Sequence, residues 1–315
     1  MPLIKRFLKR LYSFIPFKKE IFSFIRPLGI PERIYRHLHF KDTFRVKVDS
    51  KHSFKVHHIG AKVENEIFWD GLFGSWEKHS MKIWTHLCKS ANYIFDVGAN
   101  TGIYSLVGRS VNSESQIYAF EPAARIFDKL VNNVKLNQYK IHTNCLGLSN
   151  ENGMANIFDP GGDHLYSVTI NKNIHSPDLT VTKCAIPIAR FDTWFEQHNV
   201  TGLDLMKIDV ETHEPEVLEG MGSLLTNYKP TLLIEVLNDE VGQKINALIE
   251  GLHYQIFSVD EKKGAIRMGR ISKSHSYNYL ICQPQVADRQ YPENCVNEVR
   301  QKDRTFYIRL KNTQL

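Results

Sequence analysis

Short apolar runs alternate with segments of helical periodicity over much of this chain. Residues 93–97, 116–120, 140–146, 203–210, 231–236, 254–259 and 277–282 are apolar and short, as strands are. Between them, 102–110, 124–137, 190–198, 213–225 and 239–251 place apolar residues three and four apart, as helices do. Residues 149–187 break the alternation. They contain Gly153, Gly161-Gly162 and strand-like pieces at 154–158 and 180–186, and read as an inserted β-hairpin and loop. Strands alternating with helices predict an α/β domain of Rossmann-like type, with a mostly parallel seven-stranded sheet and helices on both faces.

The pattern differs at both ends. Leu3, Ile4, Phe7, Leu8, Leu11, Tyr12 and Ile15 recur at helical spacing around Lys5, Arg6, Lys9 and Arg10, and Pro16 stops them. Residues 21–25 repeat the aromatic-apolar theme, 44–48 and 54–59 alternate as strands, and 66–84 are rich in aromatics and glycine, leading into a helix at 78–88. The expected organisation is a basic N-terminal extension over 1–88, a ligand-binding domain over 89–285 and a polar tail over 286–315.

Composition is that of a globular protein, with 42% hydrophobic and 23% charged residues. The net charge of +6 is unevenly placed: residues 1–62 hold 15 Lys and Arg against 4 Asp and Glu, and the remainder is acidic. A basic arm suits a polyanionic partner: anionic lipid, nucleic acid or an acidic glycan. The amphipathic pattern within residues 1–26 makes peripheral contact with an anionic membrane one candidate, and packing on the domain or on a partner subunit another. No apolar run reaches the length of a membrane span, and the charged start is unlike a signal peptide. Five widely spaced cysteines without a C-x-x-C pair support neither a zinc ribbon nor a redox motif, and fit a reducing, cytoplasmic compartment.

The chemistry is concentrated in one strand–turn–helix. Asp96-Val97-Gly98-Ala99-Asn100-Thr101-Gly102 follows the first strand of the domain. Gly98 permits a tight turn with a ligand against the main chain, and Gly102 lets the helix start pack closely. Amides at the helix start attract an anionic group, and Asp96 is a candidate acceptor for an ammonium or a bridging water. The next strand ends in Glu121-Pro122, where a carboxylate can accept both hydroxyls of a ribose. A nicotinamide dinucleotide requires G-x-G-x-x-G; here Asn100 stands where the middle glycine would admit a pyrophosphate. The spacing favours S-adenosylmethionine, which has no phosphate.

Several runs resemble the FkbM family of methyltransferases: Phe95–Gly102, Tyr118–Pro122, Leu146-Gly147-Leu148-Ser149, Leu205-Met206-Lys207-Ile208-Asp209-Val210-Glu211-Thr212-His213-Glu214, and Val217-Leu218-Glu219-Gly220-Met221. Thr212 departs from the family, which more often has glycine there. The resemblance implies a class I methyltransferase fold and S-adenosylmethionine as methyl donor. It places Asp96, Gly98, Ala99, Asn100, Thr101, Gly102, Glu121, Pro122 and Leu148 at the cofactor. It also implies O-methylation of a hydroxyl on a sugar, a glycan or a secondary metabolite.

A general base near such a hydroxyl would speed the transfer. His213 and Glu211 are the candidates, with Asp209 positioning cofactor or substrate. These three side chains suit a divalent metal as well, but alternate positions on a strand end face opposite ways, so ligands from elsewhere such as Glu235 or Asp239 would be required, and no metal is favoured. Trp69, Phe73 and Trp76, with Glu77 and His79, read as core, as a sugar-stacking wall or as a lid. Residues 161–167 read as a mobile loop or a plain hairpin. A nucleic-acid or protein methyltransferase is the rival enzyme class; the former is disfavoured because no Asn/Asp-Pro-Pro-Tyr/Phe motif occurs, and a non-catalytic module because both the glycine turn and the acidic strand ends are intact.

Overall fold

A computed structural model describes residue 12 and residues 15–159, 182–272, 276–290 and 306–307. The expected amphipathic helix over 3–15 and the loop over 161–167 lie largely or wholly outside these residues. In chain order the strands are β1 (Asp42–Lys47), β2 (Ser53–His58), β3 (Tyr93–Val97), β4 (Gln116–Phe120), β5 (His142–Asn144), β6 (Gly147–Ser149), β7 (Gly153–Asp159), β8 (Thr182–Arg190), β9 (Leu205–Ile208), β10 (Thr231–Glu235), β11 (Gln255–Asp260), β12 (Gly264–Met268), β13 (Asn278–Cys282) and β14 (Phe306–Tyr307).

The main sheet runs β14-β12-β11-β13-β10-β9-β3-β4-β5. The five strands from β5 to β10 are parallel, and β13 enters antiparallel between β10 and β11. All seven expected strands are present in one mostly parallel sheet, and β12 and β14 extend its edge. The chain lays down β3, β4 and β5 outward in one direction, then returns to place β9 on the other side of β3. This reversal opens a crevice at the carboxyl ends of β3, β4 and β9, where open α/β sheets bind ligands.

Helices cover both faces. On one, Ile103–Val111 and Lys78–Cys88 bury Leu106, Val107, Ile83 and Trp84 against β3, β4 and β9. On the other, Phe191–Gln197 and Asp239–Ile249 bury Phe191, Trp194 and Ile245 over Phe95, Met206 and Leu232. A separate sheet, β6-β8-β7, carries the expected hairpin as the antiparallel pair of β7 and β8. The helix expected over 213–225 is two, Glu214–Gly220 and Ser223–Tyr228. Gly222 breaks it at φ 51 and ψ −128, a conformation open essentially to glycine.

The extension is packed onto the domain. The helix Lys62–Asp70, not anticipated from the sequence, and the rings of Phe22, Phe40, Phe68 and Trp69 belong to the same apolar core as Ile94, Leu106 and Leu280. Asn133 and Asn137, on the helix Ala124–Asn137, accept from the backbone N–H groups of His57 and Lys55, which satisfies the outer edge of β2. The tail contributes the helix Pro284–Gln290 and the strand β14, which pairs with β12. Among the described residues no helix is long and apolar enough to cross a membrane.

Candidate active site

A cavity of about 300 Å³ lies at the ends of β3, β4 and β9. Gly98 is indispensable to it for a reason the sequence did not show. Its φ is +79, and a Cβ there would stand 1.8 Å from the carbonyl oxygen of Asp209. Asp209 N in turn donates to Val97 O at 3.0 Å. The glycine therefore lets the β3 turn touch the end of β9. Gly102 stands at φ +90, a conformation that favours glycine, and a Cβ there would also press on the Leu130 side chain at 2.5 Å.

Glu121 organises the turn. Its Oε2 accepts from Asn100 N and its Oε1 from Ala123 N, both at 3.0 Å. These bonds hold Asn100 at φ 49 and leave the carboxylate, 6% exposed, on the cavity wall. Burial pushes Glu121 up to about 7, against the pull of the two amides. The next residue, Thr101, donates from Oγ1 to the buried Glu64 at 2.8 Å, and Asn133 Nδ2 donates to its carbonyl. The extension and the helix Ala124–Asn137 thus clamp the loop from both sides.

Of the residues expected at the cofactor, Gly98, Ala99, Asn100, Thr101, Glu121, Pro122 and Leu148 line the cavity. Asp96 and Gly102 do not. Asp96 is fully buried, and its Oδ2 accepts from Ser105 N at 3.0 Å and Ser105 Oγ at 2.6 Å, which anchors the start of the helix Ile103–Val111. Asp96, expected as an acceptor for an ammonium or a bridging water, thus stands behind the cavity wall rather than on it.

The candidate catalytic residues separate. Asp209 and Glu211 line the cavity; His213 does not. Glu211 and Thr212 both have positive φ, 55 and 80, and this turn carries His213 away. Its Nε2 lies 3.0 Å from Ser149 Oγ, and its Nδ1 3.6 Å from Glu216. Glu214 holds the turn in place: its Oε1 accepts from Val210 N at 3.0 Å and Thr212 N at 3.3 Å. Thr212 occupies a conformation natural to glycine, the residue expected there, so the departure to threonine places a β-branched side chain in a strained backbone.

Other wall residues were not among the expected cofactor or catalytic residues. Lys207 is 5% exposed, donates to Asp209 Oδ2 at 2.7 Å and sits 4.6 Å from the centre of the Tyr104 ring. Burial alone would lower its pKa, but Asp209, Glu77 and Asp96 raise it further, so the ammonium is held charged. A lysine inside an otherwise apolar strand was the available signal, because a buried cation requires partners. Trp76 and Glu77 join the wall, and Tyr104 Oη donates to Glu77. Trp69 and His79 do not: Trp69 stacks on Tyr35 in the core, and the His79 amide is taken by Glu261. Burial pushes Glu77 and Glu211 each up to about 7, opposed by Lys207, and Glu235 is raised to about 10 by burial and by Asp209 and Glu211.

Glu235 lines the cavity but Asp239 does not, and among the described residues no group of three or more His, Cys, Asp or Glu is disposed to hold a metal ion. The donors present fit S-adenosylmethionine instead. Glu121 offers a fixed carboxylate at a strand end, with no glycine path for a pyrophosphate.

Comparison with known proteins agrees. The sequence matches the Methyltransferase FkbM domain over residues 96–259. Hexuronic acid methyltransferase AglP of Haloferax volcanii is 29% identical over 132 residues, which cover 42% of this chain and 51% of that protein. Methyltransferase 1 of Beauveria bassiana is 27% identical over 145 residues, 41% of this chain and 58% of that protein. The chain thus spans about half the length of these curated relatives. A solved FkbM methyltransferase from Methylobacillus flagellatus overlays with a TM-score of 0.39 at 17% identity, covering 61% of this chain and 43% of the other. The family match takes in just over half of the chain, which therefore belongs to the FkbM family of S-adenosylmethionine-dependent methyltransferases.

Proposed function

We propose that the protein is an O-methyltransferase acting on a hydroxyl of a sugar, a glycan or a secondary metabolite. The observation that carries this reading is the Glu211 carboxylate on the cavity wall beside Asp209, held near neutrality by burial. A base whose pKa lies near the working pH combines a useful deprotonated fraction with real proton affinity.

S-adenosylmethionine supplies an activated methyl group when bound. Glu121 would hold its ribose hydroxyls, Leu148 and Pro122 would flank the adenine, and the loop from Gly98 to Thr101 would receive the methionine end. Glu211 accepts the proton of the acceptor hydroxyl. Lys207, fixed on Asp209, orients that carboxylate toward the same space. His213 has no part in the transfer and serves as a strut between β6 and the helix Glu214–Gly220.

The wall favours a neutral acceptor. Glu77, Asp209, Glu211 and Glu235 face Lys207 and the rim residue Lys62. With Lys207 already paired to Asp209, an anionic acceptor would find no free buried cation there and would meet Glu77 and Glu211 wherever these ionise. In this the chain would differ from the Haloferax relative, which is named for a hexuronic acid.

Radiolabelled methyl donor offered with neutral sugars, amino sugars, uronates and their nucleotide conjugates tests the proposal. Label should enter a neutral or amino-sugar hydroxyl and be lost in Glu211→Gln. Label entering uronates in preference would overturn the acceptor assignment, and label entering only nitrogen acceptors would overturn O-methylation.

A further inference from the structure

The helix Lys18–Ile25 and the turn Arg26–Leu28 after it bury one apolar side through Phe22 and, among the described residues, leave a second apolar side exposed. Phe22 points inward, its ring 5.5 Å from that of Trp69 and 6.4 Å from that of Phe40. Ile21, Phe24 and Leu28, spaced three and four apart, project from the opposite side, and Phe17 precedes them by one turn. Phe17, Phe24 and Leu28 are 74%, 83% and 75% exposed. Among the described residues nine large apolar side chains are exposed, and six of them fall between Ile15 and Ile34. Scattered exposed apolar residues need no explanation, but a stripe anchored from behind does.

The surroundings say what covers it. Within residues 15–42 the exposed charges are Arg33, Arg36 and Lys41 with Glu20, Glu32 and Asp42, and Asp42 is paired with Lys19. Residues 15–62 as a whole carry 11 basic residues against 4 acidic. Cations around aromatic and aliphatic side chains match a surface with anionic headgroups over an apolar interior. A nucleic acid would engage the cations and leave Leu28 and Ile21 in water. A second copy of this chain would set like charge against like charge.

We infer that this face is a peripheral docking surface for an anionic membrane, with Phe17, Phe24 and Leu28 inserted among the headgroups and the basic residues at the phosphates. It lies outside the methyltransferase cavity and does not depend on the acceptor assigned above.

Flotation of the full chain with vesicles tests it, comparing pure phosphatidylcholine with mixtures holding about 30% phosphatidylglycerol. The protein should float with the anionic vesicles only, and high salt should release it. Phe17→Ser/Phe24→Ser/Leu28→Ser should lower the partition coefficient by about tenfold or more. Because all three side chains are exposed, the variant should keep the wild-type thermal transition and S-adenosylhomocysteine affinity. Absence of flotation, or equal flotation by the variant, would overturn the inference. So would a wild-type dimer in sedimentation velocity that the variant abolishes, since that would place another copy on the face.

Discussion

Lys207 Nζ lies 2.7 Å from Asp209 Oδ2, two residues apart across the end of β9, and the lysine side chain is 6% exposed while the aspartate is 27% exposed. Removing the cation leaves Asp209 beside Glu77, Glu211 and Glu235 without a counter-charge. Lys207→Met should cost about 3 kcal/mol of stability in urea denaturation, the lower end for a broken buried pair because Asp209 reaches solvent. Lys207→Met/Asp209→Asn should recover part of that loss. Additive losses in the double variant would show that the two side chains do not act as a pair.

The base assignment divides two neighbouring residues. Glu211→Gln should keep S-adenosylhomocysteine binding and lower kcat by about 10²–10⁴-fold. His213→Gln should lower thermal stability through the lost Ser149 contact and leave kcat within a few-fold. The reverse outcome, an inactive His213 variant and an active Glu211 variant, would return the role to the histidine.

Thr212 holds φ 80 with a β-branched side chain. Thr212→Gly should therefore raise stability by about 1 kcal/mol, since the conformation costs glycine little. A net loss on this substitution would mean that contacts of the threonine side chain outweigh the backbone strain.

Buried carboxyls give the protein without cofactor an uncommon pH dependence. Glu77, Glu121 and Glu211 are pushed up to about 7 and Glu214 to about 8, all above the ordinary 4.5. Each binds its proton more tightly in the folded chain than in the unfolded one. The stability this confers is full below the unfolded value and is lost as pH rises through the folded values. His58, held down to about 4 by burial, acts in the opposite sense but below its ordinary 6.5. From pH 6.5 to about 8 the carboxyls dominate, so Tm should fall across that interval. Glu214→Gln, which keeps an acceptor for Val210 N and Thr212 N, should reduce the slope. Calorimetry showing a flat or rising Tm over the same interval would contradict the burial of these groups.

The sheet was legible because each strand is a short apolar run bounded by turn residues, and the glycine turn at the cavity because glycine and acidic residues stand at fixed positions on strand ends. Glu121 could be placed from sequence for that reason. His213 could not: its displacement follows from positive φ at Glu211 and Thr212, and neither residue type announces that conformation. Lys62 escaped notice, and the choice between core and wall for Trp76 and Glu77 stayed open, because these residues reach the cavity through tertiary packing of the extension, which no local periodicity encodes. The break at Gly222 was concealed by apolar spacing that continues through it. Gly98 was read as room for a ligand, whereas its closest neighbour is the main chain of Asp209.

Titration calorimetry with S-adenosylhomocysteine, on the wild type and on Glu121→Ala, addresses the central claim directly. One molecule should bind per chain, and Glu121→Ala should weaken binding by about tenfold or more, since the carboxylate both holds Asn100 N and receives the ribose hydroxyls. Unchanged affinity in a folded Glu121→Ala variant would place the cofactor elsewhere than the crevice between β3, β4 and β9.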